Sequence, residues 1–325
     1  LPISDDDLSL RLNVADYQAA DMPLTFVGYG VNAAGQLSAD VSGKAVLLLA
    51  GEPPYLRSPQ SLQQRHQLLS DGGAAAILTI VDESAPWSRM QAMHQRPSLR
   101  RDVGERQVNL DGLMTAAGFD QLSRAAGRSG RALMRAATSA SFTPIEMPVL
   151  MTAAGRADIE TIVTHNVVAK LAGTNPDGKA AVLMGHWDGM GICAPDDAAD
   201  RICNGAVDNA SGIAVINAVA KRLGSGAPID RDIYFLATTS EEKGLLGAFH
   251  FVDHAPLPLG DIIVALNLDT VAIAGRGAPV AVIGRGRRAY DDQVAEVATK
   301  LGRRLDKDGE ADAFVQRQDG WAFGA

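Results

Sequence analysis

The chain has no apolar run near the roughly 20 residues needed to span a bilayer. Ala45–Ala50 and Ala74–Val81 are strand-sized. It also lacks positive charge. Lys and Arg number 30 against 38 Asp and Glu, a net charge of −8, which argues against a nucleic-acid or anionic-membrane surface. The arginines of Arg96–Arg106 and Arg285–Arg288 are broken up by Asp, Glu, Pro and Gly and read as solvated loops. Leu1 is not preceded by Met or by a charged-then-apolar leader, and Trp321–Ala325 falls inside an unfinished helical pattern. A processed product with residues missing at both ends is therefore expected. Cysteine is nearly absent: Cys193 and Cys203 share one loop, without the second C-x-x-C or His pair of a structural zinc site. Three readings stay open for the pair: reduced thiols, soft metal ligands, or a disulfide. A disulfide closing a loop of about 11 residues contributes roughly 2–3 kcal/mol and favours an oxidising compartment.

What the 325 residues do contain divides into two regions. From about Pro23 to Pro148, short β-rich runs alternate with turns. Leu24–Gly30, Lys44–Ala50 and Ala74–Val81 read as strands and Gln60–Asp71 as a helix. No catalytic constellation stands out here: the acids are scattered, His66 and His94 lack partners, and Gly28-Tyr-Gly30 is too short for a phosphate loop. From about Asn166, strands and helices alternate. Ala180–Met184, Asp232–Thr238 and Asp261–Asn267 read as strands; Ala210–Leu223, Gly244–His254 and Asp291–Leu301 read as helices. Ile213, Ile216, Ala220 and Leu223 recur on one helical face. This alternation predicts a doubly wound, mostly parallel α/β sheet, whose sites form at the carboxyl ends of strands.

Four clusters fall at such ends: Gly185-His-Trp-Asp188, Gly205-Ala-Val-Asp208-Asn-Ala-Ser-Gly212, Thr239-Ser-Glu241-Glu242-Lys-Gly-Leu-Leu-Gly247 and Leu266-Asn-Leu-Asp269. A pair of divalent ions needs a bridging carboxylate, terminal ligands on each side and a base for the attacking water. His186 is a suitable imidazole ligand, and Asp188 could hold its other nitrogen or orient the loop. Asp208 also stands where an ordinary helix cap would. Adjacent Glu241 and Glu242 repel unless something cationic compensates, and neighbouring side chains point in different directions. His250-Phe-Val-Asp-His254 has the i, i+4 spacing of a zincin helix without its glutamate and reads as a solvent-facing pair. His165 reads as structural; Trp187 fits either a pocket wall or a packing role.

As a set, the four motifs resemble the M28-type metallo-aminopeptidases, and the preceding β-rich region resembles a protease-associated domain. The resemblance implies a lead-in over residues 1–22, a protease-associated domain over 23–155 and a zinc-exopeptidase-like catalytic domain over 156–325. His186 and Asp269 would be terminal ligands of one zinc, Asp208 the bridge, Glu242 a ligand of the second zinc, and Glu241 the general base, with Asp188 as a second catalytic residue. The family adds a histidine to the second zinc, yet none of the six histidines follows His254. Phe314–Asp319 resembles the stretch leading toward that ligand, so a C-terminal portion is expected to be absent. The implied function is removal of N-terminal residues from peptides in a periplasmic or extracellular space. Alternatives are a glutaminyl cyclase on the same fold and a non-catalytic peptidase-like binding protein.

Overall fold

The structure is a computed structural model describing residues 3–58, 60–84, 86–104, 106–175, 178–194, 197–271, 273–284, 290–306 and 313–324. The Arg285–Arg288 group lies outside the described residues. Two compact units are present: Leu1–Ser98 with Asp102–Thr161, and Leu99–Arg101 with Ile162–Ala325. Among the described residues no helix is long and apolar enough to cross a membrane.

The first unit contains β1 (Leu8–Leu12), β2 (Asp16–Gly28), β3 (Ala45–Leu49), α1 (Leu62–Asp71), β4 (Ala76–Val81), α2 (Trp87–His94), β5 (Leu110–Thr115), α3 (Ala116–Ala125), α4 (Gly130–Ala136) and β6 (Ile145–Arg156). Its sheet runs β1-β5-β4-β3-β2-β6, parallel from β2 to β5 and antiparallel at both edges. Every residue of β3 and β4 is buried, the continuous apolar pattern of strands covered on both faces. Helix α1 begins at Leu62 because Ser61 and Gln64 form a reciprocal capping box. Residues 8–22, expected as a lead-in, carry β1 and the first half of β2. One expectation is corrected here. His66 and His94 have partners: His66 Nε2 lies 2.8 Å from Thr79 Oγ1 on β4, and His94 Nδ1 2.9 Å from Ser9 Oγ on β1. Both come from distant strands, out of reach of any local pattern.

The second unit contains β7 (Val167–Leu171), β8 (Ala180–His186), the short pair β9 (Gly191–Ile192) and β10 (Ile202–Cys203), α5 (Ala210–Gly224), β11 (Asp232–Thr238), α6 (Leu246–Asp253), β12 (Ile262–Asn267) and α7 (Asp291–Lys300). Its sheet is ordered β12-β8-β11-β7, with β8 parallel to both neighbours and β7 antiparallel at the edge. Ala180, Val182 and Met184 pack with Ala248 and Phe251 of α6. On the alternate positions of β8, Gly185 faces Ile216 of α5. Helices thus cover both faces, as a doubly wound sheet requires. Cys193 and Cys203 are joined as a disulfide, with Cα atoms 5.8 Å apart, closing the β9–β10 loop.

Candidate metal centre

The central strand β8 carries its pairing to the last residue, where His186 sits opposite Thr238 of β11. His186 is therefore fully buried at the carboxyl edge of the sheet. Its Nδ1 donates to the main-chain carbonyl of Asp188 at 3.0 Å, which turns Nε2 toward the neighbouring strand ends. Of the two roles open to the Asp188 carboxylate, the ring nitrogen is the more distant partner, 3.7 Å from it at Nδ1. The carboxylate accepts from the main-chain N–H groups of Glu241 at 3.1 Å and Glu242 at 3.4 Å. Asp188 thus orients the loop bearing both glutamates. That loop is a 3-10 turn, Glu241–Lys243, flanked by Ser240 and Leu245 in the left-handed region at φ 55° and 60°. Such positions in non-glycine residues concentrate at functional turns. They also explain why α6 starts at Leu246 rather than at Gly244.

Asp208 and Asp269 come to His186 from the other side. The cap of α5 is not Asp208 but Asn209, whose Oδ1 accepts from Gly212 N at 3.0 Å. The Asp208 carboxylate is left free of capping, half-exposed, with Oδ1 2.9 Å from His186 Nε2. The buried Asn209 also donates through Nδ2 to Leu268 O at 2.9 Å, tying the start of α5 to the chain leaving β12. That approach needs two glycines: a Cβ at Gly212 would stand 2.1 Å from Leu268 O, and one at Gly185 2.8 Å from the same oxygen. Asp269 follows directly, its Oδ1 3.7 Å from His186 Nε2. Ligand atoms of His186, Asp208 and Asp269 all lie within 4.8 Å of one another. Glu242 is not in that group, although the Asp208 carboxylate acts on it.

Two residues at this centre were missed in the sequence. One is Asn209. The other is Asp319, fully buried on the 3-10 turn Asp319–Phe323, where the Thr238 hydroxyl donates to it. Nothing local marks Asp319, since its partner is 81 residues away. Trp187 is half-exposed, its ring held by Nε1 donating to His165 O at 3.1 Å.

The electrostatics are those of a site short of positive charge. Burial alone would lower His186, but Asp269, Glu241 and the Asp188 carbonyl raise it to about 10. Burial, reinforced by Asp319, Asp269 and Glu242 against His186, pushes Glu241 up to about 8. Burial pushes Asp319 up to about 6 despite Thr238 and His186, and burial and Asp208 raise Glu242. Burial opposes ionisation of Asp269, yet His186 and Thr270 hold it below the usual range. His186 Nε2 is buried without a hydrogen bond although two carboxylates crowd it. An orphaned imidazole nitrogen facing carboxylate oxygens is the donor set of a divalent zinc-type ion, so the residues present fit a metal.

A doubly wound α/β domain with an imidazole–dicarboxylate group that could hold a metal at its strand ends defines the class. Residues 166–324, just under half of the chain, match the model of Peptidase family M28. The aminopeptidase YwaD of Bacillus subtilis is 46% identical over 68 residues, 21% of this chain and 15% of that protein. A vacuolar membrane protease of Lachancea thermotolerans is 29% identical over 118 residues, 36% of this chain and 11% of that protein. The chain thus spans well under two thirds of these curated relatives. The solved aminopeptidase from Aneurinibacillus sp. strain AM-1 shares the fold, with TM-score 0.50 and 18% identity over 98% of this chain and 69% of that one.

Proposed function

We propose that the M28 segment is the catalytic part of a zinc-dependent aminopeptidase acting on peptides in a periplasmic or extracellular space. The observation that carries this reading is the buried Nε2 of His186 set between the carboxylates of Asp208 and Asp269, at 2.9 and 3.7 Å. His186, Asp208 and Asp269 would hold one zinc, and Asp208 with Glu242 would serve a second. Bound zinc supplies Lewis acidity toward the scissile carbonyl and makes water a better proton donor. Glu241 is the general base: its carboxylate takes the proton from the attacking water and hands it to the departing amine. Asp188 holds Glu241 and Glu242 in place through their main-chain N–H groups. The closed Cys193–Cys203 loop supports an oxidising compartment.

Glu241→Gln tests the assignment. Turnover of chromogenic amino-acid anilides is expected to fall by at least about a hundredfold while zinc stays bound; unchanged rates remove Glu241 from the chemistry. Cyclisation of a peptide with N-terminal glutamine, in place of anilide hydrolysis, points to the cyclase alternative. Neither reaction points to a binding protein.

A further inference from the structure

A second donor pair lies outside this centre. His250 and His254 stand one helical turn apart, at the end of α6 and at its C-cap, and both are exposed. Residues at i and i+4 share a helix face. Their rings are stacked with centroids 4.3 Å apart and planes inclined by 27°. The His250 carbonyl accepts the main-chain N–H of His254 at 3.1 Å and lies 3.0 Å from its ring Nδ1. Since a carbonyl can only accept, Nδ1 carries the proton, and the Nε2 lone pair of the neutral ring is left for a ligand. This is the outer hydrogen bond that orients metal-binding imidazoles in general.

We propose that His250 and His254 form a surface site for a borderline divalent transition ion, separate from the His186 centre. Two imidazoles on one ion at 2.0–2.1 Å place their nitrogens roughly 3 Å apart. Rings already 4.3 Å apart at their centroids reach that with a small swing about their side-chain torsions. The ligand chemistry sets the preference. Imidazole suits copper(II), nickel(II) and zinc in the order copper above nickel and zinc, whereas calcium and magnesium take oxygen donors. The nearest acid, Asp253, is engaged by Arg101, whose guanidinium also stands over the Phe249 ring. The site is therefore all-nitrogen and uncompensated in charge, so it binds more weakly than the His186 centre and exchanges freely. Occupancy clips the last turn of α6 to its cap.

The test is equilibrium dialysis of the full chain against copper(II), with electron paramagnetic resonance of the bound ion and a thermal melt in parallel. The variants are His250→Ala with His254→Ala, and His186→Ala. Wild type is expected to hold one more copper per chain than the His250→Ala/His254→Ala variant, to show a second, two-nitrogen copper spectrum absent from that variant, and to gain a larger copper-dependent rise in Tm than the variant does. His186→Ala is expected to retain this second class of binding. Because both histidines are exposed, the double variant keeps its fold, which circular dichroism verifies. Equal copper content and equal spectra in wild type and the double variant overturn the proposal. Loss of the second class in His186→Ala also overturns it, by showing a single site.

Discussion

Protons and metal compete for His186, and the competition has a calculable size. With carboxylates lifting His186 to about 10, the metal-free chain holds this proton throughout the neutral range. An incoming ion must displace it. At pH 7 the displacement spans about three pH units, roughly 4 kcal/mol or a thousandfold in apparent affinity. Glu241, raised to about 8, contributes about one further unit if it ionises as the ion arrives. Apparent zinc affinity is therefore expected to rise about tenfold per pH unit between pH 6 and 9, and more steeply below pH 8. The signs agree for stability. Folded His186 binds a proton between its unfolded value near 6.5 and about 10, and folded Glu241 between 4.5 and about 8. The metal-free chain thus loses stability as pH rises through both windows, while the zinc-loaded chain does not. Competition with a chromophoric chelator at pH 6, 7, 8 and 9 reads the slope directly. An affinity flat across that range refutes the charge balance argued for this centre.

Other expectations follow from the same contacts. Gly212→Ala places a methyl against Leu268 O and Asn209 Oδ1; it should destabilise the fold by about 1–3 kcal/mol and weaken zinc binding more than urea-monitored stability alone explains. Cys193→Ser with Cys203→Ser opens the loop between His186 and Asp208. A loss of roughly 2–3 kcal/mol is expected in denaturant unfolding, and an unchanged midpoint contradicts it. No histidine follows His254 within these 325 residues, so metal analysis after dialysis at low free zinc is expected to find one tightly held ion per chain rather than two.

Much of the second unit was legible because its strands are short apolar runs ending in polar residues. Asp232–Thr238 falls where the alternation places it, and the faces of α5 follow from Ile213, Ile216, Ala220 and Leu223. His186 was legible as a candidate ligand, although not as the last paired residue of β8. What escaped was long-range. Which of two neighbouring residues caps α5 depends on Leu268 O, 59 residues away from Asn209. Asp319 acquires meaning only through Thr238, and His94 only through Ser9, 85 residues away. Periodicity reports local backbone and burial; it carries no record of which distant carbonyl or hydroxyl a side chain will meet. The α6 boundary failed for a local reason, because left-handed Leu245 breaks a pattern that looks continuous in sequence.

Zinc-edge anomalous diffraction, from crystals grown with one equivalent of zinc, tests most directly whether these strand ends hold a metal. The account predicts one strong peak about 2.0–2.2 Å from His186 Nε2 and from carboxylate oxygens of Asp208 and Asp269. A peak elsewhere on the chain, with His186 Nε2 left unligated, contradicts it.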